Sequence, residues 1–187
     1  MKTSSYKIES LIMGIGLLLI SVAGNSQDNK LSKEDKKIAK RDKDYYNFQV
    51  VDSMVKNKSF VLEADYLENQ YGIKRPVQSL LNFIELDSTN AVLQTGSNLS
   101  QGFNDVGGVT AEGSISGLKI YKNAKNLTFF LRFTVMTNIG IYDVAMTIYS
   151  NKYARAEITG LSRGKLVYDG HILNLWESKA YKGRNTI

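Results

Sequence analysis

The chain has no cysteine, a single histidine (His171) and no apolar run longer than about a dozen residues. Each absence removes a class of reading. Without cysteine there is no disulfide and no lipid-bearing N-terminal cysteine, so the chain is not a lipoprotein and its stability rests on its apolar core. With one histidine and no thiol, a zinc site would need three carboxylate or solvent ligands, an unusual set. A serine hydrolase would depend on His171 alone, and no Gly-x-Ser-x-Gly elbow occurs. The Gly107-Gly108 stretch lacks the Lys-Ser/Thr ending of a phosphate-binding loop and precedes no helical pattern. No catalytic constellation, metal or cofactor is expected.

The one sustained apolar run is Leu11 to Val22, too short for the roughly 20 residues that span a bilayer. Lys2 and Lys7 precede it, and Ala23-Gly24-Asn25-Ser26 follow it. A basic head, an apolar centre and small residues make a secretory signal peptide, 1–26, with cleavage after Ser26 and the Ala23 position as runner-up. An uncleaved anchor is the rival reading. The expected location is exported, periplasmic or otherwise envelope-associated, with no transmembrane span after cleavage. The net charge is +6, of which the leader carries one, leaving a mild positive balance. Such a balance suits a solvated exported protein and permits contact with acidic surfaces. Export argues against a nucleic-acid partner.

The mature chain is one domain by length. Residues 27–58 read as a charged N-terminal helix, running from about Lys33 to Lys56. Phe48, Val51 and Val55 fall on one face of its end. From Ser59 the period changes to two. Phe60, Leu62, Ala64 and Tyr66 alternate with Val61, Glu63, Asp65 and Leu67. Leu80, Ile84 and Leu86 mark a second strand, with Asn82 as a flaw, and Ala91–Thr95 a third. Gly96–Gly113, with five glycines, breaks all periodicity. Strand character resumes over Ala111–Lys122, where Gly113 and Gly117 suit bulges. Three regular strands follow over Leu127–Thr137, Ile141–Tyr149 and Lys152–Thr159, and a last one over Lys165–Ile172. Short turns join them, which implies antiparallel neighbours.

The expected fold is therefore all-β with one N-terminal helix. About eight strands over 59–172 form a curved, barrel-like antiparallel sheet whose opening or edge the helix covers; a β-sandwich is the alternative. The tail, 173–187, either docks through Leu175 and Trp176 or trails free.

The order of Ser59-Phe60-Val61-Leu62-Glu63-Ala64-Asp65, Glu112-Gly113, Tyr142-Asp143-Val144 and Leu166-Val167-Tyr168-Asp169-Gly170-His171-Ile172 resembles the family of exported Bacteroidota proteins known as domain of unknown function 4251. The family carries Phe-Val-Leu/Ile-Glu-Ala-Asp at the first place and aromatic-x-Gly-x-Ile at the last. It often has a Leu-Pro-Tyr-Phe-Gly cluster after its third strand, where this chain reads Val92-Leu93-Gln94-Thr95-Gly96. The resemblance implies export and a shared fold but no activity.

Glu63 and Asp65 lie two apart on one strand face, where paired carboxylates can do acid–base work or hold calcium; a solvated outer face is the plainer reading. Glu85 and Asp87 make a weaker pair. Asp52-Ser53-Met54 and Asp87-Ser88-Thr89 match the short O-glycosylation pattern of Bacteroidota exported proteins, which makes Ser53 and Ser88 candidate modification sites. Tyr residues beside bases, as in Lys152-Tyr153-Ala154-Arg155, can stack on sugars. The leading expectation is non-enzymatic binding of a small apolar ligand or an envelope protein partner. Its rivals are a structural or accessory envelope protein with a packed interior and, behind both, a carboxylate-dependent enzyme.

Overall fold

The computed structural model describes residues 32–97, 107–160 and 164–186. The expected leader, 1–26, lies outside these residues, as do residues 98–106 of the glycine-rich stretch.

Helix α1 spans Lys33–Asn57. Ser32 caps it: its hydroxyl accepts from the Asp35 N–H at 3.1 Å, and the Asp35 carboxylate accepts from the Ser32 N–H at 3.2 Å. This reciprocal pair satisfies two amides that a helix start leaves free. The helix stops at Lys58, which turns left-handed at φ 51°. Its first half is solvated, and its second half buries Phe48, Val51, Met54 and Val55.

Nine strands follow: β1 (Ser59–Glu68), β2 (Lys74–Pro76), β3 (Phe83–Asp87), β4 (Asn90–Thr95), β5 (Val109–Asn123), β6 (Thr128–Thr137), β7 (Gly140–Tyr149), β8 (Tyr153–Gly160) and β9 (Lys165–Leu173). All pairings are antiparallel, each strand from β3 to β9 lies beside the next, and β1 pairs with both β3 and β9. Eight strands thus close into a barrel. The extra strand, β2, lies along the second half of β1, opposite Tyr66–Glu68. Lys74-Arg75-Pro76 carries no apolar alternation, and no periodic signal marks it in the sequence.

Alternation fills the barrel. Phe129, Leu131, Phe133 and Val135 point inward from β6, Val144, Met146 and Ile148 from β7, and Ala154, Ala156 and Ile158 from β8. Helix α1 closes the end near the β6 start, where the rings of Phe48 and Phe129 stack at 4.8 Å. Lys122 near the end of β5 reaches Asp52 of the helix at 2.9 Å.

Three details differ from the expected pattern. Leu80 is exposed in a short 3-10 turn, Ser79–Leu81, outside any strand. Asn82 is buried there, bonding the Gln78 and Gly96 carbonyls and the Gly96 N–H, which holds the entry to β3. In β1 the register slips between Ala64 and Tyr66, so Tyr66 turns outward and Leu67 packs inward.

The tail docks. Leu175 and Ala180 pack on an outer apolar cluster of Val61, Phe83 and Val92, whereas Trp176 stays 81% exposed. Gln94, fully buried on the outer face, uses its whole amide: Nε2 donates to the Leu81 and Tyr181 carbonyls, and Oε1 accepts from Thr110 Oγ1 and the Gly183 N–H. Beyond the reach of β6, the tail completes the edge of β5: the Thr186 N–H donates to the Thr110 carbonyl, and the Thr110 and Glu112 amides donate to Thr186 Oγ1 and Asn185 Oδ1.

Candidate functional site

The barrel end opposite α1 is open. A concave mouth of about 450 Å³ is lined deep down by Leu93, Ala111, Tyr142, Ile158, Leu166 and Tyr168. Its floor is fixed, because the buried Tyr168 hydroxyl donates to the Gln94 backbone carbonyl at 3.0 Å and burial pushes that phenol's pKa up. The turn after β1 brings Asn69, Gln70 and Tyr71 to the rim. The Asn69 carboxamide accepts from the Tyr71 and Ile73 amides and so shapes that turn. Two glycines make room at the wall: a Cβ on Gly160 would meet Tyr142 Cδ1 at 2.9 Å, and one on Gly164 would meet Gln70 Oε1 at 3.0 Å. The alternation of β7 marks Tyr142 as inward-facing in the sequence. The contribution of Asn69–Tyr71 has no such signal, since it follows from the unmarked strand β2.

The mouth occupies only half of the interior. Phe129, Leu131, Met146 and Ile148 are fully buried in the half closed by the helix.

Glu63 and Asp65 both lie on the outer face, but their partners differ. The Glu63 carboxylate accepts from the Ser178 hydroxyl at 2.6 Å and the Lys179 N–H at 3.2 Å, which holds the tail. Asp65, in the β1 bulge, lies 3.1 Å from Nδ1 of His171 on β9. Neither lines the mouth. Glu85 sits half-buried near Lys182 of the tail; burial raises its pKa, with Asp87 and Glu112 adding to the rise. Ser88 is exposed in the turn joining β3 and β4, and Ser53 is exposed on α1. Among the described residues no group of three or more His, Asp or Glu side chains could hold a metal ion.

The densest electrostatics lie beside the seam between β1 and β9. The Asp169 carboxylate, 1% exposed, accepts from Arg155 Nη1 at 2.7 Å, Tyr153 Oη at 2.8 Å and Lys74 Nζ at 2.9 Å. Arg155 also bonds Glu68 at 3.0 Å. Burial penalises the charged Asp169, but Lys74, Tyr153 and Arg155 together outweigh it and hold its pKa below the ordinary 3.8. Burial, and then the Asp169 charge, pushes the Tyr153 phenol up to about 12. Single charges spaced along separate strands gave no sequence signal of this cluster.

The first and last of the sequence motifs meet at that seam. Leu62 faces Ile172, Glu63 faces His171 and Ala64 faces Gly170. A Cβ on Gly170 would fall 1.9 Å from the Glu63 carbonyl oxygen, so only glycine lets the strands approach there. These motifs close the barrel.

The model of the family described as Domain of unknown function (DUF4251) matches residues 42–172. No curated protein matches the chain. A crystal structure of a DUF4251 family protein from Bacteroides eggerthii superposes with a TM-score of 0.61 at 22% identity. The match covers 72% of this chain and 92% of that one, and it shows a shared fold. The chain therefore belongs to the DUF4251 family.

Proposed function

We propose that this is an exported envelope protein that binds a small apolar ligand in the open mouth of its barrel, without catalysis. The observation that carries the reading is the mouth itself: a preformed hollow of about 450 Å³ with an apolar depth and a few polar groups at its rim. Ligand sites favour that combination, and barrel mouths are common places for them. The N-terminal leader pattern supports the envelope location. A second reading, a structural or accessory envelope protein, draws support from the packed half of the interior.

Native mass spectrometry of the protein purified from its own host tests the proposal. The expected result is an added mass that denaturation releases. Leu166→Glu places a charge in the apolar lining and should abolish that adduct while leaving the fold, read by circular dichroism, intact. A bare polypeptide mass for the unaltered protein would overturn ligand binding and favour the structural reading.

A further inference from the structure

A second hollow lies at the other end of the barrel. It is a cleft of about 360 Å³ between helix α1, which supplies Lys40 and Asp44, and the β7–β8 turn, which supplies Tyr149, Ser150, Asn151 and Tyr153. The rings of Tyr149 and Tyr153 lie 5.8 Å apart, tilted by 34°, and His171 sets its ring edge-on to Tyr153 at 5.8 Å. Tyr149 is 41% exposed.

The Tyr153 ring is held in place. Its hydroxyl donates to Asp169, its N–H donates to Asn151 Oδ1 at 3.1 Å, and Asp65 sits against the neighbouring imidazole. The buried ion cluster thus fixes a ring that lines an open cleft. A fixed ring loses little freedom when a ligand stacks on it.

The polar groups of the cleft remain available. Among the described residues neither the Lys40 ammonium nor the half-buried Asp44 carboxylate has an ion-pair or hydrogen-bond partner, and the Asn151 amide nitrogen has none either. The lining carries one positive and one negative charge, so it offers donors and acceptors without a net field. A polyanion would meet the Asp44 carboxylate beside the one ammonium of the lining. A molecule with C–H faces for the rings and hydroxyls that both donate and accept matches it.

We propose that this cleft binds a neutral pyranose saccharide, stacked on Tyr149 and Tyr153 and hydrogen-bonded by Lys40, Asp44 and Asn151. The site is separate from the barrel mouth and stands whether or not the mouth takes an apolar ligand.

Saturation-transfer NMR on the purified protein, with chitotetraose and maltotetraose as probes, tests it. The expected result is transfer to ring protons of at least one probe. Tyr149→Ala should weaken that binding about tenfold, and Asp44→Ala should weaken it as well. Tyr149→Phe keeps the ring and should retain binding, and Leu166→Glu in the mouth should not alter it. Because Asp44 lies on the helix surface, its variant decides the matter if Tyr149→Ala does not fold. No transfer to either probe would overturn the proposal. So would transfer that survives undiminished in both alanine variants.

Discussion

Asp169 concentrates the electrostatics of the molecule in one carboxylate. Its folded pKa is depressed, because Lys74, Tyr153 and Arg155 outweigh the burial that opposes ionisation. A depressed acid adds stability above its unfolded pKa, and that stability is lost as pH falls through the folded value. The window here therefore lies below about pH 4. Asp169→Asn should cost about 2 kcal/mol at pH 7, since it removes a charged acceptor and leaves Arg155 and Lys74 without it. Both cations are about two-fifths exposed, and water compensates part of the loss. Urea midpoints for the two proteins should converge as pH drops from 7 to 3. A gap that persists unchanged at pH 3 would refute this account. The sequence could not announce the cluster. Arg155 and Tyr153 reach Asp169 across the neighbouring β8–β9 pair, whereas Lys74, on β2, arrives only through the closure of β1 on β9.

At the scale of elements, the regular strands were the legible part. In β6, β7 and β8 the alternation of apolar and polar residues predicted the inward set, because these three strands pair with one another without a slip in register. Helix α1 also fell where its periodicity and charge placed it. Legibility failed where backbone geometry, and not side-chain pattern, sets the structure. The bulge at Asp65 turns Tyr66 outward, β2 has no apolar face to alternate, and Leu80 was displaced into a turn by the buried Asn82. The sequence left the tail open between docking and trailing free. It docks through Leu175 but not Trp176. Its anchor is Gln94 of β4, which bonds the tail at the Tyr181 carbonyl and the Gly183 N–H. Gln94→Ala removes all four side-chain hydrogen bonds at a fully buried position and should cost about 2–3 kcal/mol, read from the urea midpoint. The same variant should speed proteolysis within residues 174–186. Unchanged protection of that segment would show that the apolar contacts of Leu175 and Ala180 suffice to hold it.

For the whole molecule, closure is the governing fact. β1 and β9 pair residues about a hundred positions apart, from Val61 with Leu173 to Glu68 with Val167. Such non-local contacts require loop-closure entropy to be overcome before they contribute, so refolding after dilution from urea should take milliseconds to seconds. Stopped-flow tyrosine fluorescence reads that rate, and complete recovery within a few microseconds would contradict it. The same seam bears on timing within a cell. Synthesis N-terminus first supplies β1 before every other strand, yet β1 has only β2 and β3 to pair with until the closing strand has emerged. The barrel therefore cannot close until β9, the last strand of the domain, is free to pair with β1. With the two halves of the seam at opposite ends of the domain, a growing chain holds an open sheet until its last strand is made.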